Sequence, residues 1–197
     1  MQDDEKKFYS DIPASFKDPL VGGQPRGEVA FSSALAALHQ EGAMLWKMVP
    51  MFRLRTPQSP SGFADTLIHK GDLVLPEYPL PADTETEIRR WGGKRIDLSF
   101  RPVHQAKGEE RIVFVEAKLN STFTGDRRGA DSQIGQYLTF LQQRCGAFKT
   151  VALLVLTPRW NGDWYRQELI DNIATGLPLA DNVFWTSWES IFESIAV

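Results

Sequence analysis

Cysteine is almost absent from this chain: among 197 residues there is one, Cys145, and only three histidines accompany it. A single thiol cannot close an internal disulfide, and it lacks the paired spacing of a cysteine-based metal motif, so a disulfide scaffold and a thiolate-zinc module are both excluded. Cys145 reads as a free intracellular thiol at a helix end. Long apolar runs are missing as well. No stretch approaches the roughly 20 uninterrupted apolar residues of a membrane span, and the first seven residues are charged, without the pattern of a secretory signal. No membrane association and a cytoplasmic location are expected. Nor is there a basic excess: 22 Lys and Arg against 25 Asp and Glu leave a formal charge of -3. A protein that coats polyanions indiscriminately releases counterions through a large positive surplus, so any nucleic-acid contact here must be local. Local cations do occur, at Arg89, Arg90, Lys94, Arg95, Lys107, Arg111, Lys118, Arg127 and Arg128. Finally, neither G-x-x-x-x-G-K-[ST] nor G-x-S-x-G is present, which removes the phosphate loop and the nucleophile elbow.

What is present is the composition of a folded domain, 42% hydrophobic and 24% charged. Residues 1–26, broken by Pro13, Pro19, Gly22, Gly23 and Pro25, read as an irregular arm laid over a single domain of residues 27–197. From Glu28 a helix is predicted with Phe31, Leu35 and Leu38 on its buried face, interrupted near Gly42. Residues 53–72 read as a long loop with room for one short turn of helix, which could hold specificity. A strand follows at 73–75, made an edge or irregular strand by Pro76 and Pro79, and then a charged connection at 81–93. The run 95–100 alternates, which puts Ile96, Leu98 and Phe100 on one face and Arg95, Asp97 and Ser99 on the other. It pairs as a hairpin with a strand at 111–119. A helix over 133–143, capped by Asp131 or Ser132 and ended by Gly146, precedes an apolar central strand at 150–156. A helix around 165–174, a short strand at 183–185 and a helix over 187–195, opened by a capping box from Thr186 to Glu189, complete the chain. This order predicts an α/β fold, a central mixed β-sheet flanked by helices on both faces.

The chemistry concentrates on two of these strands. Glu116 and Lys118 lie two residues apart in an otherwise apolar strand and project from one face, where an isolated ion is costly unless paired or metal-bound. They could form a plain ion pair. Asp97, on the strand that the hairpin places alongside, adds a second carboxylate. Two carboxylates held together repel one another unless a cation lies between them. Hard oxygen ligands favour Mg²⁺, with Mn²⁺ able to substitute, over zinc. Such a cation beside a lysine suits phosphodiester hydrolysis.

Asp97 followed by Glu116-Ala-Lys118 on the next strand resembles the PD-(D/E)XK nuclease superfamily, with Ile96 where the motif's proline would stand. Gln133 and Tyr137 on the following helix match the Q-x-x-x-Y motif of its RecB-like branch. The resemblance covers most of the chain from Glu28 onward and implies a restriction-endonuclease-like core. It also implies that Asp97 and Glu116 bind the metal, that Lys118 assists the attacking water, and that Gln133 and Tyr137 support the site. Many members carry a glutamate on the first helix. Glu28 shares the azimuth of Phe31, Leu35 and Leu38, whereas Glu41 falls on the opposite side, so Glu28 is the metal-ligand candidate. A first-turn acid serving the helix dipole is its alternative. His39 reads as a satisfied helix histidine, and Trp160, Trp164 and Tyr165 as core or rim. Arg127 and Arg128, in the loop overhanging the site, are the candidates for holding a phosphate backbone, with plain solvent-exposed loop charges as the alternative. The expected activity is that of a Mg²⁺-dependent deoxyribonuclease, acting on DNA as a homo-oligomer or with a partner subunit. The alternative is an inactive member of the same fold, a binding or structural subunit of a larger defence, repair or mobile-element complex.

Overall fold

β-branched and aromatic residues gather in the runs that pair, and charged residues in those that turn or coil. A computed structural model describes residues 3–13, 16, 27–43, 45–54, 59–119, 131–173, 177 and 179–195. Its helices are α1 (Asp3–Ser10), α2 (Gly27–Gln40), α3 (Glu85–Trp91), α4 (Gln133–Cys145), α5 (Gly162–Ile173) and α6 (Trp188–Ile195). Its strands are β1 (Pro50–Arg53), β2 (Gly62–Phe63), β3 (Leu73–Pro79), β4 (Arg95–Arg101), β5 (Arg111–Ala117), β6 (Thr150–Thr157) and β7 (Val183–Ser187).

The strands form one mixed sheet in the order β2-β1-β7-β6-β5-β4-β3. At its centre β5, β6 and β7 run parallel, joined by the crossover helices α4 and α5 as parallel neighbours require. β4 and β3 extend the sheet antiparallel on one side and β1 on the other. Every residue of β5 and all but the first of β6 are buried, as expected of strands covered on both faces. Val113, Val115 and Ala117 of β5, with Ala152, Leu154 and Leu156 of β6, pack against Phe31 and Leu35 of α2 and Trp188 and Phe192 of α6. The alternate residues Ile112, Phe114, Val151, Leu153 and Val155 pack against Tyr137, Leu138 and Leu141 of α4 and Tyr165 and Leu169 of α5. The predicted α/β class with helices on both faces is therefore the observed one. No helix of the described residues is long and apolar enough to cross a membrane.

Several local expectations are corrected. Residues 3–10, predicted as irregular, form α1, which places Phe8 in the core together with Ile12 and Phe16. The predicted connection at 81–93 contains α3, where Thr84 and Glu87 make a reciprocal capping box and Trp91 is buried, its Nε1 donating to Pro81 O at 2.9 Å. The predicted loop at 53–72 includes the short strand β2, paired to β1. Of the two cap candidates for α4, Ser132 takes the position, accepting from Gly135 N at 3.0 Å. The capping box at Thr186 does not form. Thr186 donates to Pro50 O, Ser187 accepts from Ser190 N, and Glu189 receives Arg159 N.

The most consequential correction concerns β4. Leu98 and Phe100 join the core under α2, but Ile96 joins the one under α4, so the alternation breaks between Ile96 and Leu98. On the neighbouring edge strand, pairing runs Pro76↔Leu98 and then Tyr78↔Ile96. Between them Glu77 has φ 48°, a left-handed conformation rare for such a residue. Asp97 thus sits opposite the one irregular residue of β3. Arg111, counted among the local cations, is instead buried, with both guanidinium nitrogens 2.7 Å from the Asp72 carboxylate.

Candidate active site

The carboxyl end of β5 is fixed by its backbone beyond the last paired strand residue. Lys118 N donates to Leu156 O at 2.8 Å and Lys118 O accepts from Trp188 Nε1 at 3.2 Å. The β4–β5 ladder stops at Leu98↔Val115, and the Asp97 side chain takes over where it ends, its Oδ2 accepting from Ala117 N at 2.7 Å. Asp97 and Glu116 are thereby brought together at the end of the sheet, beneath the first turn of α4.

Glu116 is 1% exposed and Lys118 5%, so neither ion is solvated and each must be answered by protein. Glu116 Oε1 accepts from Lys118 Nζ at 2.7 Å and from Gln133 Nε2 at 2.8 Å. The same Gln133 nitrogen donates to Tyr137 Oη at 2.8 Å, and Tyr137 Oη donates to Arg95 O at 2.8 Å. Gln133 and Tyr137 stand one turn apart on α4, as their i, i+4 spacing demands. Glu28 reaches the same place from the start of α2. Its Oε1 accepts from Leu119 N at 3.0 Å and its Oε2 lies 3.7 Å from Lys118 Nζ. Glu41, the alternative first-helix acid, is exposed.

Among the described residues Glu116 Oε2 is buried without a hydrogen-bond partner. A buried carboxylate oxygen left this way calls for a proton or a cation. Burial, and then the neighbouring charge of Asp97, push the Glu116 carboxyl up to about 8 against the pull of Lys118. Burial also raises Asp97, to about 6, with Glu28 and Glu77 adding repulsion while the Ala117 amide and Lys118 oppose. For Lys118 burial works against the charge, but the Glu116, Glu28 and Asp97 carboxylates outweigh it and hold the ammonium above its ordinary range. Burial and the charge of Glu116 raise Tyr137, so its phenol stays neutral and can donate.

The donor set fits a hard divalent cation through two carboxylates, Asp97 and Glu116, rather than three. Among the described residues no three His, Cys, Asp or Glu side chains are grouped so as to hold a metal ion. Glu28, expected as a ligand, is turned instead to Lys118 and the Leu119 amide. Mg²⁺ commonly accepts one or two carboxylates and fills its remaining positions with water and substrate phosphate.

Other candidates go elsewhere. Arg127 and Arg128 lie outside the described residues. His39 is a satisfied helix histidine: its Nδ1 accepts from Trp46 Nε1 at 3.3 Å, which leaves Nε2 to donate to Asp72 O at 3.0 Å. Tyr165 is core, Trp160 packs at the core's margin and Trp164 is exposed. Cys145 is buried, and burial raises its thiol to about 11, an inert state. The backbone groups that complete the site, Arg95 O and the amides of Ala117 and Leu119, carry no residue-type signal and were not foreseeable from sequence. In comparison with known proteins, the chain matches no family model, no curated protein and no solved structure.

Proposed function

We propose that this protein is a metal-dependent nuclease of the PD-(D/E)XK type, hydrolysing phosphodiester bonds of DNA. The observation that supports this reading most is the unpartnered, buried Glu116 Oε2 beside Asp97, with a lysine on the carboxylate's other oxygen. Asp97 and Glu116 would hold Mg²⁺, or Mn²⁺ in its place. Bound there, the cation supplies Lewis acidity towards a phosphate oxygen and a water.

The chain's own groups have separable tasks. Gln133, by donating to Glu116 Oε1, fixes which oxygen stays open. Tyr137 braces Gln133 and ties it to the start of β4 through Arg95 O. Lys118 can orient the attacking water and offset charge as it builds on the phosphoryl oxygens. Glu28 acts as a positioning residue for Lys118 and the backbone after it. In the reaction, water forms a new P–O bond while one P–O ester bond breaks, leaving a phosphate monoester at one end and a hydroxyl at the other. Arg127 and Arg128 remain candidates for gripping the phosphate backbone.

One observation favours a second reading. Lys118 sits between Glu116 and Glu28, as it would in a purely structural ion-pair network of an inactive, nucleic-acid-binding or structural subunit. The two readings separate when purified protein is incubated with supercoiled plasmid, linear duplex, single strands and RNA in Mg²⁺, Mn²⁺ or EDTA. Cutting of DNA with either metal is expected, with loss in EDTA and in Asp97→Ala and Lys118→Ala. If no substrate is cut with either metal, or both variants cut as well as wild type, the subunit reading replaces the nuclease.

A further inference from the structure

Three cations, Arg90, Lys94 and Arg95, close α3 and open β4 at the same end of the sheet as Asp97 and Glu116. Arg95 is joined to the site through its backbone, since its carbonyl accepts the Tyr137 phenol and Asp97 follows two residues later. The turn before it is held at both ends: Lys94 N donates to Trp91 O at 2.9 Å and Lys94 O accepts from Leu80 N at 3.0 Å. Trp91, edge-on to Phe140 of α4, pins the helix that leads into it. The turn is therefore a fixed rim of the site.

Its three cations stand within six residues of one another without a carboxylate between them, whereas other described cations of the chain are paired. Arg89 is paired with Glu85, Arg111 with Asp72, Arg144 with Asp83 and Glu87, Lys149 with Glu109, Arg159 with Glu193 and Arg166 with Asp163. Among the described residues no ion pair joins Arg90, Lys94 or Arg95. Lys94 and Arg95 are exposed and Arg90 is half-buried. The helix dipole accounts for cations in the last turn of α3, hence for Arg89 and Arg90, but not for two more beyond its end. Between them lies a backbone stripped of side chains. A Cβ on Gly92 would stand 2.4 Å from Ile88 O, and Gly93 has φ +76° with open space around it. Exposed glycine backbone flanked by unpaired cations admits close approach of a polyanionic strand.

We propose that the α3–β4 turn is a phosphate-backbone track, on which Arg90, Lys94 and Arg95 hold a nucleic-acid strand and lead it to the carboxylates. The inference rests on the nuclease reading for its direction, and its test separates the two. Binding of fluorescein-labelled duplex and single-stranded DNA is followed by anisotropy over a salt series, with Mg²⁺ present, in an Asp97→Ala background that prevents cutting. Arg90→Gln/Lys94→Gln/Arg95→Gln is expected to weaken binding about tenfold or more. It should also lower the slope of log Kd against log salt by roughly two to three, one for each lost phosphate contact. Lys107→Gln, in the exposed turn at the far end of β5, is expected to change neither. Arg90→Lys/Arg95→Lys, which keeps the charge, should restore most of the affinity, and unchanged circular dichroism excludes misfolding. With Asp97 intact, the triple Gln variant should raise KM and leave kcat near wild type.

If DNA does not bind, or the triple Gln variant binds with unchanged affinity and salt slope, the track is overturned; cutting that nevertheless persists would leave the nuclease reading standing. Patch-dependent binding by a wild-type protein that cuts nothing would overturn the nuclease and leave the track.

Discussion

Glu116 governs the behaviour of the site because its two oxygens meet different surroundings, one holding Lys118 and Gln133 and the other without a hydrogen-bond partner among the described residues. Its folded carboxyl titrates near 8 against an ordinary 4.5, so between those values the native state binds more protons than the unfolded chain. Stability from this group is fully present below the ordinary value and is lost as pH rises through about 8. His39 acts in the opposite sense. Burial lowers it from 6.5, so its contribution is complete above 6.5 and falls away in acid. Asp97, raised to about 6, acts in the same sense as Glu116 but is largely ionised by about pH 7, so the interval from roughly pH 7 to 8.5 is governed mainly by Glu116. In EDTA the melting temperature should fall across that interval, and Glu116→Gln should flatten the fall. Mg²⁺ should restore more stability at the upper end than at the lower, because carboxylates must lose their proton to take a cation. A wild-type melting curve indifferent to both pH and Mg²⁺ would sink the assignment of Glu116. Lys118→Ala leaves the Glu116 charge uncompensated and should cost about 3 kcal/mol at the upper pH by denaturant unfolding. At the lower pH, where Glu116 can take up a proton instead, the cost should be smaller; equal costs at both would count against this pairing.

Two elements, β4 and α4, turn these side chains into one site, and the Tyr137 phenol is the link between them. Tyr137→Phe removes the bond to Arg95 O and the acceptor for Gln133, and should cost about 1–2 kcal/mol of stability. Under the nuclease reading it should lower kcat more than it raises KM, since the residue braces Glu116 without reaching the phosphate backbone. A normal kcat together with an unchanged melting temperature would remove Tyr137 from the site. The elements also mark where sequence reading succeeds. Glu116 and Lys118 obey a period of two and Gln133 and Tyr137 a spacing of four, so local geometry alone predicted that each pair would share a face. Phe31 and Leu35 of α2 are equally regular. What failed was either long-range or weakly patterned. Ile96 changes sides opposite a left-handed Glu77, and glutamate gives no warning of that conformation. Arg111 finds Asp72 through tertiary contact 39 residues away. α3 hides a single anchor, Trp91, among charges, although Thr84 and Glu87 spell its capping box.

At the scale of the molecule, one sheet separates two cores, and β5 and β6 feed alternate side chains to both. Neither face has a scaffold of its own, because removing the helices from one side would expose strands whose other side chains hold the opposite core. Phe16 shows how far this extends. Although it comes from the segment read as an arm, it is 1% exposed and packs against Phe31 of α2 and Trp188 and Phe192 of α6. Phe140, on the other side of the sheet, lies against Phe114 of β5 and Trp91 of α3. Truncating either ring leaves a cavity that rigid surroundings fill only in part, so Phe16→Ala and Phe140→Ala should each cost about 3–5 kcal/mol. Because the sheet is shared, each loss should appear as a shift of the whole unfolding curve. In urea, tryptophan fluorescence and far-ultraviolet circular dichroism should give coincident transitions for wild type and for both variants, with unchanged steepness. Separate transitions, with the α2 and α6 face melting before the α4 and α5 face in Phe16→Ala, would show that the faces are energetically independent. α2 could then loosen and carry Glu28 away from Lys118 while Glu116 and Gln133 stayed in place. Coincident transitions would mean that every residue of the site, from Glu28 on one face to Gln133 on the other, is held by the same cooperative unit.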